Sequence, residues 1–314
     1  MMLEPVTSRL PVVPPPAADE RLSSWLNRLA TLYALSLDAL LDHLGLARRN
    51  VFDLEWRLPA GEGALIARRT GLSPQALQAM TFHNRMPEAR IMVASKNRYH
   101  CSLCPDDVHT RAAALPWAFC CPVHRTPYTS RTGEALSDVF GSGICADLNE
   151  QADRGAKRLD MWSRGQEEAA PAAGAIVKFL ATRHRRSSPA SVREQPRLSL
   201  QGRCDYHAFL NQPIARQALC VTVPEYDRAA PLLVKPVRPG FHALSQASLL
   251  QAYALAVGIG RLTENLIDPV VDVLMASDVP GEWRLREALK QWPLSSRRRI
   301  YARFWRAQRD ERAR

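Results

Sequence analysis

The sequence predicts a mainly α-helical protein with an N-terminal helix-turn-helix unit, a small Cys/His module of short β-structure plus helix, and a C-terminal helical domain. Apolar residues recur at intervals of three and four along most of the chain, whereas sustained alternation is scarce. Two Cys/His pairs with identical spacing lie between residues 101 and 124. The 314 residues suffice for two or three compact units.

The first helix is predicted to follow a proline-rich segment. Residues 10–18 contain four prolines and read as extended chain. Asp19 is placed to cap the helix that follows. One apolar face is then defined by residues at positions i, i+3, i+4 and i+7, namely Leu22, Trp25, Leu26 and Leu29.

A weak internal repeat predicts two helix-turn-helix pairs. Residues 30–40 align with residues 67–77, sharing Ala, Leu-Ser and Ala-Leu at equivalent positions. In the second copy Gly71 suits a left-handed turn, Ser73 is a natural N-cap and Pro74 fits the first helical position. The helix over 73–81 would be the recognition helix. Similar helical hairpins occur in proteins that never contact DNA, so a purely structural role stays open.

The two copies differ in surface character. The second helix of the first copy is strongly apolar, which favours packing. The second copy is polar, and Gln suits adenine edges whereas Arg suits phosphate or guanine. Its candidate DNA contacts are Arg68, Arg69, Ser73, Gln75 and Gln78.

The Cys/His module predicts one structural zinc ion. Zinc takes four soft or borderline donors at tetrahedral corners, and two turns that each carry two donors close such a shell. A shell supplied entirely by protein leaves no position for substrate, which argues against catalysis by the metal. Cys120 is an alternative donor that we expect instead to be a small buried residue. The predicted ligands are Cys101, Cys104, Cys121 and His124.

The net charge of +11 predicts an acidic partner, with DNA the leading candidate. Two segments, 183–203 and 297–314, carry the whole excess. In the second segment, we expect a terminal helix to bind DNA phosphates. Its other side would be anchored to the protein by Tyr301, Phe304 and Trp305. The alternative, a helix that packs on the core with merely solvated arginines, stays open. The proposed phosphate contacts are Arg297, Arg298, Arg299, Arg303 and Arg306.

Composition shifts predict four segments. Residues 1–92 form the helix-turn-helix domain and 93–145 the zinc-finger module, followed by a basic linker over 146–203 and a helical domain with an Arg-rich tail over 204–314. The linker prediction rests on a composition rich in Ala, Arg, Ser and Pro. The final helix should begin near Glu282 and be interrupted at Trp292-Pro293.

Several classes of protein are disfavoured. No stretch reaches the roughly 18 apolar residues of a membrane span, and no export signal is visible, so we expect a cytoplasmic protein without membrane contacts. Close Cys pairs in a reducing compartment favour metal ligands over disulfides. No phosphate-cradling Gly-rich loop, HExxH, Gly-x-Ser-x-Gly or two-metal carboxylate set is present, so we expect no enzyme activity.

Several of these motifs together resemble the TniQ family of transposon target-selection proteins. Thr70-Gly-Leu-Ser73 resembles the family's helix-turn-helix, and Cys101 to His124, with Trp117 between the pairs, resembles its zinc finger. Only Cys145 stands where many members carry a further Cys pair, so a second zinc site is doubtful. The family's opening motif is matched by Glu20, Ser24, Trp25, Leu26, Arg28, Leu29 and Ala30.

The resemblance implies a non-catalytic adaptor in DNA transposition. Such proteins help choose the insertion site and recruit a transposition ATPase and a transposase. It leaves open whether the site is read directly or through an RNA-guided complex, and whether the protein is a homodimer. The residues alone also allow a zinc-stabilised helix-turn-helix transcriptional regulator, or a scaffold that docks proteins only.

Overall fold

The computed structural model describes residues 9–184, 216–229, 240–277 and 279–313, which are mainly helical, as predicted. The chain divides into two compact units, Met1–Gly133 and Glu134–Arg314. The helices before residue 93 and the stretch with the two Cys/His pairs, residues 94–129, both lie in the first unit; we call residues 94–129 the metal-binding stretch.

The first unit contains five α-helices and two 3₁₀ turns among its described residues. The predicted apolar face of the first helix is fully buried, with Trp25, Leu26 and Leu29 each 0% exposed. These side chains share a core with Leu40 and Ile66 from later helices. The elements are α1 (Leu22–Leu32), α2 (Leu37–His43), α3 (Val51–Trp56), α4 (Ala60–Thr70), α5 (Pro74–Ala79) and 3₁₀ turns at Pro87–Met92 and Ala112–Ala114.

Asp19 does not cap α1, so that prediction is wrong. The N-cap residue is Arg21, whose side chain makes no capping hydrogen bond. Asp19 adopts a left-handed backbone with φ of 57°. Its carboxylate accepts hydrogen bonds from the Ala112 amide at 2.8 Å and from Arg111 Nε at 3.0 Å. A tertiary contact far along the chain therefore outcompetes the local cap.

The second helix pair has the predicted turn chemistry. Gly71 ends α4 with φ of 74°, a left-handed conformation that glycine adopts without steric cost. Ser73 caps α5 by accepting a hydrogen bond from the Ala76 amide at 3.1 Å, and Pro74 is the first helical residue. The helix ends at Ala79, two residues before the predicted end at Thr81.

The first copy packs inward, as predicted. Leu40, Leu41 and Leu44 are buried, so α2 contributes to the core. Ser36 caps this helix through the Ala39 amide.

The second unit is helical throughout most of its described residues. Two short strands, β1 (Arg183–His184) and β2 (Arg216–Gln217), pair antiparallel. The helices are α6 (Leu136–Phe140), α7 (Ser142–Ser163), α8 (Ala173–Leu180), α9 (Ala218–Thr222), α10 (Pro224–Ala229), α11 (His242–Ser245), α12 (Leu249–Glu264), α13 (Ile267–Met275), α14 (Val279–Leu289) and α15 (Leu294–Arg312).

Part of the segment predicted to be a basic linker is helical. Helix α7 spans 22 residues, and α8 follows it. The rest of that segment, 185–203, lies outside the described residues. Small residues in both helices allow close packing of α7 on α12. A Cβ at Gly155 would lie 1.9 Å from the Ala256 carbonyl oxygen, and one at Gly260 would lie 2.0 Å from that of Gln151.

The end of the chain follows the predicted pattern with a shifted start. Helix α14 begins at Val279, three residues before the expected start near Glu282. The interruption at Trp292-Pro293 is confirmed, with α15 beginning at Leu294. Among the described helices, none combines the length and the apolar character that crossing a membrane requires.

Candidate metal centre

Four donor side chains lie together in the first unit. The two turns that carry the Cys/His pairs bring the donor atoms of Cys101, Cys104, Cys121 and His124 within 4.8 Å of one another. Cys104 Sγ is 3.7 Å from Cys121 Sγ and 3.4 Å from His124 Nδ1. His124 Nδ1 is also 3.5 Å from Cys101 Sγ and 3.7 Å from Cys121 Sγ.

These distances match a tetrahedral metal shell. With metal–sulfur bonds of about 2.3 Å and a metal–nitrogen bond of about 2.0 Å, tetrahedral edges are about 3.8 Å between sulfurs and about 3.5 Å between sulfur and nitrogen. The four distances given above are close to these edges. Cys101 and Cys121 are buried, while Cys104 and His124 are partly exposed.

Hydrogen bonds within each turn orient the donors. The Cys104 amide donates to the Cys101 carbonyl at 3.1 Å, and the Arg125 amide donates to the Cys121 carbonyl at 2.9 Å. Single antiparallel bridges join His100 to Thr129 and Cys120 to Pro127. The predicted short β-structure is therefore limited to isolated bridges, and the helical part is the 3₁₀ turn at Ala112–Ala114.

The electrostatics of the thiols favour a bound cation. Burial raises the pKa of Cys101, but hydrogen bonds from Thr126, Leu103 and His124 outweigh it and bring the pKa to about 6. Burial and the neighbouring thiols Cys121 and Cys101 raise the pKa of Cys104 to about 12. A dication would compensate the like charges and allow all three thiols to ionise.

Thr126 is a site residue that the sequence did not reveal. Its Oγ1 lies 3.3 Å from Cys101 Sγ, where the hydroxyl can donate to a thiolate. Such partners orient metal ligands and tune their basicity. A Thr two residues beyond a ligand pair is too common a pattern to predict this contact.

Cys120 is exposed and lies outside the donor cluster, so the prediction that it is buried is wrong. Its neighbour Cys121 points inward, and in the extended backbone of the bridge successive side chains alternate. His100 Nδ1 lies 3.9 Å from the Asp106 carboxylate instead of joining the donors.

The start of α1 holds the metal-binding stretch in place. The Arg21 amide donates to the His109 carbonyl at 2.9 Å, and the His109 amide donates to Ser24 Oγ at 2.8 Å. Together with the Asp19 contacts to Ala112, these bonds form what we call the α1 anchor, made by Asp19, Arg21 and Ser24.

The Arg21 side chain is almost fully buried. It forms an ion pair with Glu55 of α3, and the two side chains are 2% and 1% exposed. It also donates to the Ala94 carbonyl at 2.7 Å and lies over the Phe82 ring. One guanidinium thus joins α1, α3 and the start of the metal-binding stretch.

The opening motif has a structural role in the first unit. Buried Glu20 accepts hydrogen bonds from Ser24 Oγ at 3.0 Å and from Arg28 Nε at 2.9 Å. Trp25 Nε1 donates to the Pro14 carbonyl at 2.9 Å, and Arg28 donates to that of Pro15 at 3.0 Å. These bonds fix the proline-rich segment along α1.

The second helix pair places several candidate DNA contacts in solvent. Arg68, Gln75 and Gln78 are exposed, whereas Arg69 is half-buried. Ser73 is exposed, but its hydroxyl is occupied by the helix cap.

Arg9 is a neighbour of this turn that sequence reasoning missed. A Cβ at Gly71 would lie 2.0 Å from an Arg9 guanidinium nitrogen, so the bare glycine lets Arg9 lie directly on the turn. The Leu10 amide donates to the Arg69 carbonyl at 2.8 Å and fixes this approach.

The arginines of α15 are divided between two faces. Arg297 is half-buried, close in helical position to Ile300 and Phe304, which are both 0% exposed. Tyr301 is half-buried, but Trp305, expected on the anchoring side, is 48% exposed. The exposed members of the predicted set are Arg298, Arg299, Arg303 and Arg306.

Residues 11–127 match the family model TniQ. The match spans the proline-rich segment, both helix pairs and all four donor residues. Neither a curated protein nor a solved structure matches the chain. Residues 11–127 are therefore assigned as a TniQ domain, the domain of a family associated with transposition.

Proposed function

We propose that this chain is a non-catalytic DNA-binding adaptor in transposition that helps select the target site and recruits the transposition ATPase and the transposase. The family match carries this proposal, because it covers the helix pairs and the donor cluster within one compact unit. The exposed polar face of the second helix pair supports direct contact with DNA. Docking on an RNA-guided complex would be a second route to the same role.

The ion proposed for the donor cluster is a single structural Zn²⁺. Thiolate and imidazole donors in a tetrahedral arrangement are typical of structural zinc. The four side chains would hold the ion, and the ion would stabilise the two turns by linking them. Since Cys101, Cys104, Cys121 and His124 fill the shell, the metal would have no position for a substrate.

The adaptor role can be tested by reconstitution with a transposition ATPase and a transposase. Tagged chain should capture the ATPase, and target DNA should increase the amount captured. Adding magnesium to the chain and DNA alone should give no cleavage. Binding of DNA without capture of either partner would favour the transcriptional regulator instead.

We propose that helix α5 contributes to the preference of the protein for particular DNA sequences. Replacing Gln75 and Gln78 together by Ala should change the preferred DNA sequence more than the overall affinity, because a bidentate base contact contributes about 1–3 kcal/mol of discrimination. Selection of bound sequences from a random DNA pool measures the preference.

Gln166 offers a matched control, since it is an exposed glutamine in the other unit. Gln166→Ala should leave the selected sequences unchanged. If the Gln75/Gln78 double variant selects the wild-type sequences as well, α5 has a structural role only.

A further inference from the structure

The solvent side of α15 carries an unusual combination of cations and an exposed indole. At 100° per residue, Arg298, Trp305 and Arg309 form one stripe, and an adjacent stripe contains Arg299, Arg303 and Arg306. Arg303 lies 3.6 Å from Asp268. In the described part of the chain, Arg298, Arg299, Arg306 and Arg309 make no ion pair, so their charges are available to an anionic partner.

Trp305 is held in place despite its exposure. The guanidinium carbon of Arg286 lies 4.9 Å from the centre of the Trp305 ring system. Phe304 packs edge-on against Trp305 with ring centroids 5.1 Å apart. Arg286 is itself paired with Glu282 one turn earlier on α14. The indole is therefore pre-positioned, while about half of its surface faces solvent.

A second exposed indole lies close to the same guanidinium in sequence. Trp283 is 64% exposed and precedes Arg286 by three residues on α14, which makes the two side chains neighbours on one helix face. Arg286 therefore neighbours Trp283 along α14 and covers Trp305 of α15. We call Trp283, Arg286 and Trp305, with Arg298 and Arg309, the aromatic–cation platform.

We propose that the aromatic–cation platform binds single-stranded DNA, with bases stacked on Trp305 and Trp283 and phosphates bound by Arg298 and Arg309. Alternating cations and exposed aromatic rings are how proteins bind single strands without sequence preference. Indoles on a helix surface cannot reach bases that are stacked inside a duplex. The inference rests on the proposed contact of this chain with DNA and adds a preference for unpaired strands.

The charge pattern favours a nucleic acid over an acidic peptide. The two arginine stripes extend along about three turns of α15, and so present a row of cations suited to a chain of regularly spaced phosphates. A peptide backbone also has amide N–H groups that need acceptors, whereas the guanidinium groups and indoles of this face are hydrogen-bond donors only.

The test compares binding of the full chain to an oligodeoxythymidine of about 12 nucleotides and to a duplex of equal length, at one salt concentration. Trp305→Ala should weaken single-strand binding about tenfold, since a stacked base contributes about that factor, and should change duplex binding less than twofold. Trp283→Ala should act in the same direction, while Trp305→Phe should retain most of the affinity. Leu294→Ala removes another apolar side chain of α15, which is 53% exposed. This control variant should change neither single-strand binding nor duplex binding.

A charge variant separates this inference from the proposed DNA-binding role. Replacing Arg298 and Arg309 together by Gln should weaken both DNA forms and reduce the log–log salt slope by between about 1 and 2. If these arginines matter but Trp305→Ala changes both forms equally, or neither, only the platform is overturned. If wild type binds neither form, the platform and the proposed DNA-binding role are overturned together.

Two competitors test the identity of the strand. Oligouridine that binds more tightly than oligodeoxythymidine would overturn the assignment to DNA. Polyglutamate that displaces oligodeoxythymidine as effectively as unlabelled oligodeoxythymidine would assign the surface to an acidic peptide. Melting temperatures of all variants should match wild type, because every substituted side chain is exposed.

Discussion

Replacing Cys104 by Ser should reduce bound zinc from one ion per chain to near zero and abolish cooperative unfolding of the first unit. Structural zinc binding contributes about 10 kcal/mol or more to folding, and the ion would join the two turns through bonds to all four donors. Metal analysis of purified protein measures the first effect, and calorimetry measures the second.

Cys120→Ser is the matched control, because Cys120 is exposed, adjacent to a donor and outside the donor cluster. It should retain one zinc ion and the wild-type melting transition. Full zinc occupancy in Cys104→Ser would contradict the ligand assignment. A wild-type protein that is folded and metal-free would contradict the structural role.

Replacing Glu55 by Ala should lower the free energy of unfolding of the first unit by about 3–5 kcal/mol, because it leaves the buried Arg21 guanidinium without its counter-charge. The effect should extend to the metal-binding stretch, since Arg21 also donates to the Ala94 carbonyl. The urea concentration at which zinc is released to a chromophoric chelator measures this loss.

Asp53 provides the control on the same helix. It pairs with Arg90, but the two side chains are 58% and 50% exposed. An exposed pair contributes about 0–1 kcal/mol, so Asp53→Ala should barely shift the urea midpoint. Equal shifts for the two variants would show that burial of the Arg21–Glu55 pair does not determine its importance.

Local chemistry explains which features the sequence could predict. The turn between α4 and α5 depends on Gly71, Ser73 and Pro74, each of which acts on its own backbone or on a residue three positions away. The donor cluster depends on two pairs with fixed spacing, which the turn geometry translates directly into neighbouring sulfur and nitrogen atoms.

The features that could not be predicted depend on distant contacts. The sequence alone suggests that Asp19 caps a helix. In the fold, its carboxylate instead accepts hydrogen bonds from Ala112 and Arg111. Gly155 packs against Ala256, a residue of another helix. Arg9 and Trp305 gain their positions from Gly71 and Arg286, which lie in other elements. Composition and periodicity contain no information about such partners.

The α1 anchor also determines when α1 can finish folding during synthesis of the chain. Ser24 receives its amide partner from His109, which is added to the chain 85 residues later. At 5–20 residues per second, this interval is roughly 4–17 s. Helix α1 is therefore synthesised before the other described helices of its unit, yet it gains all its native contacts only after His109 has emerged.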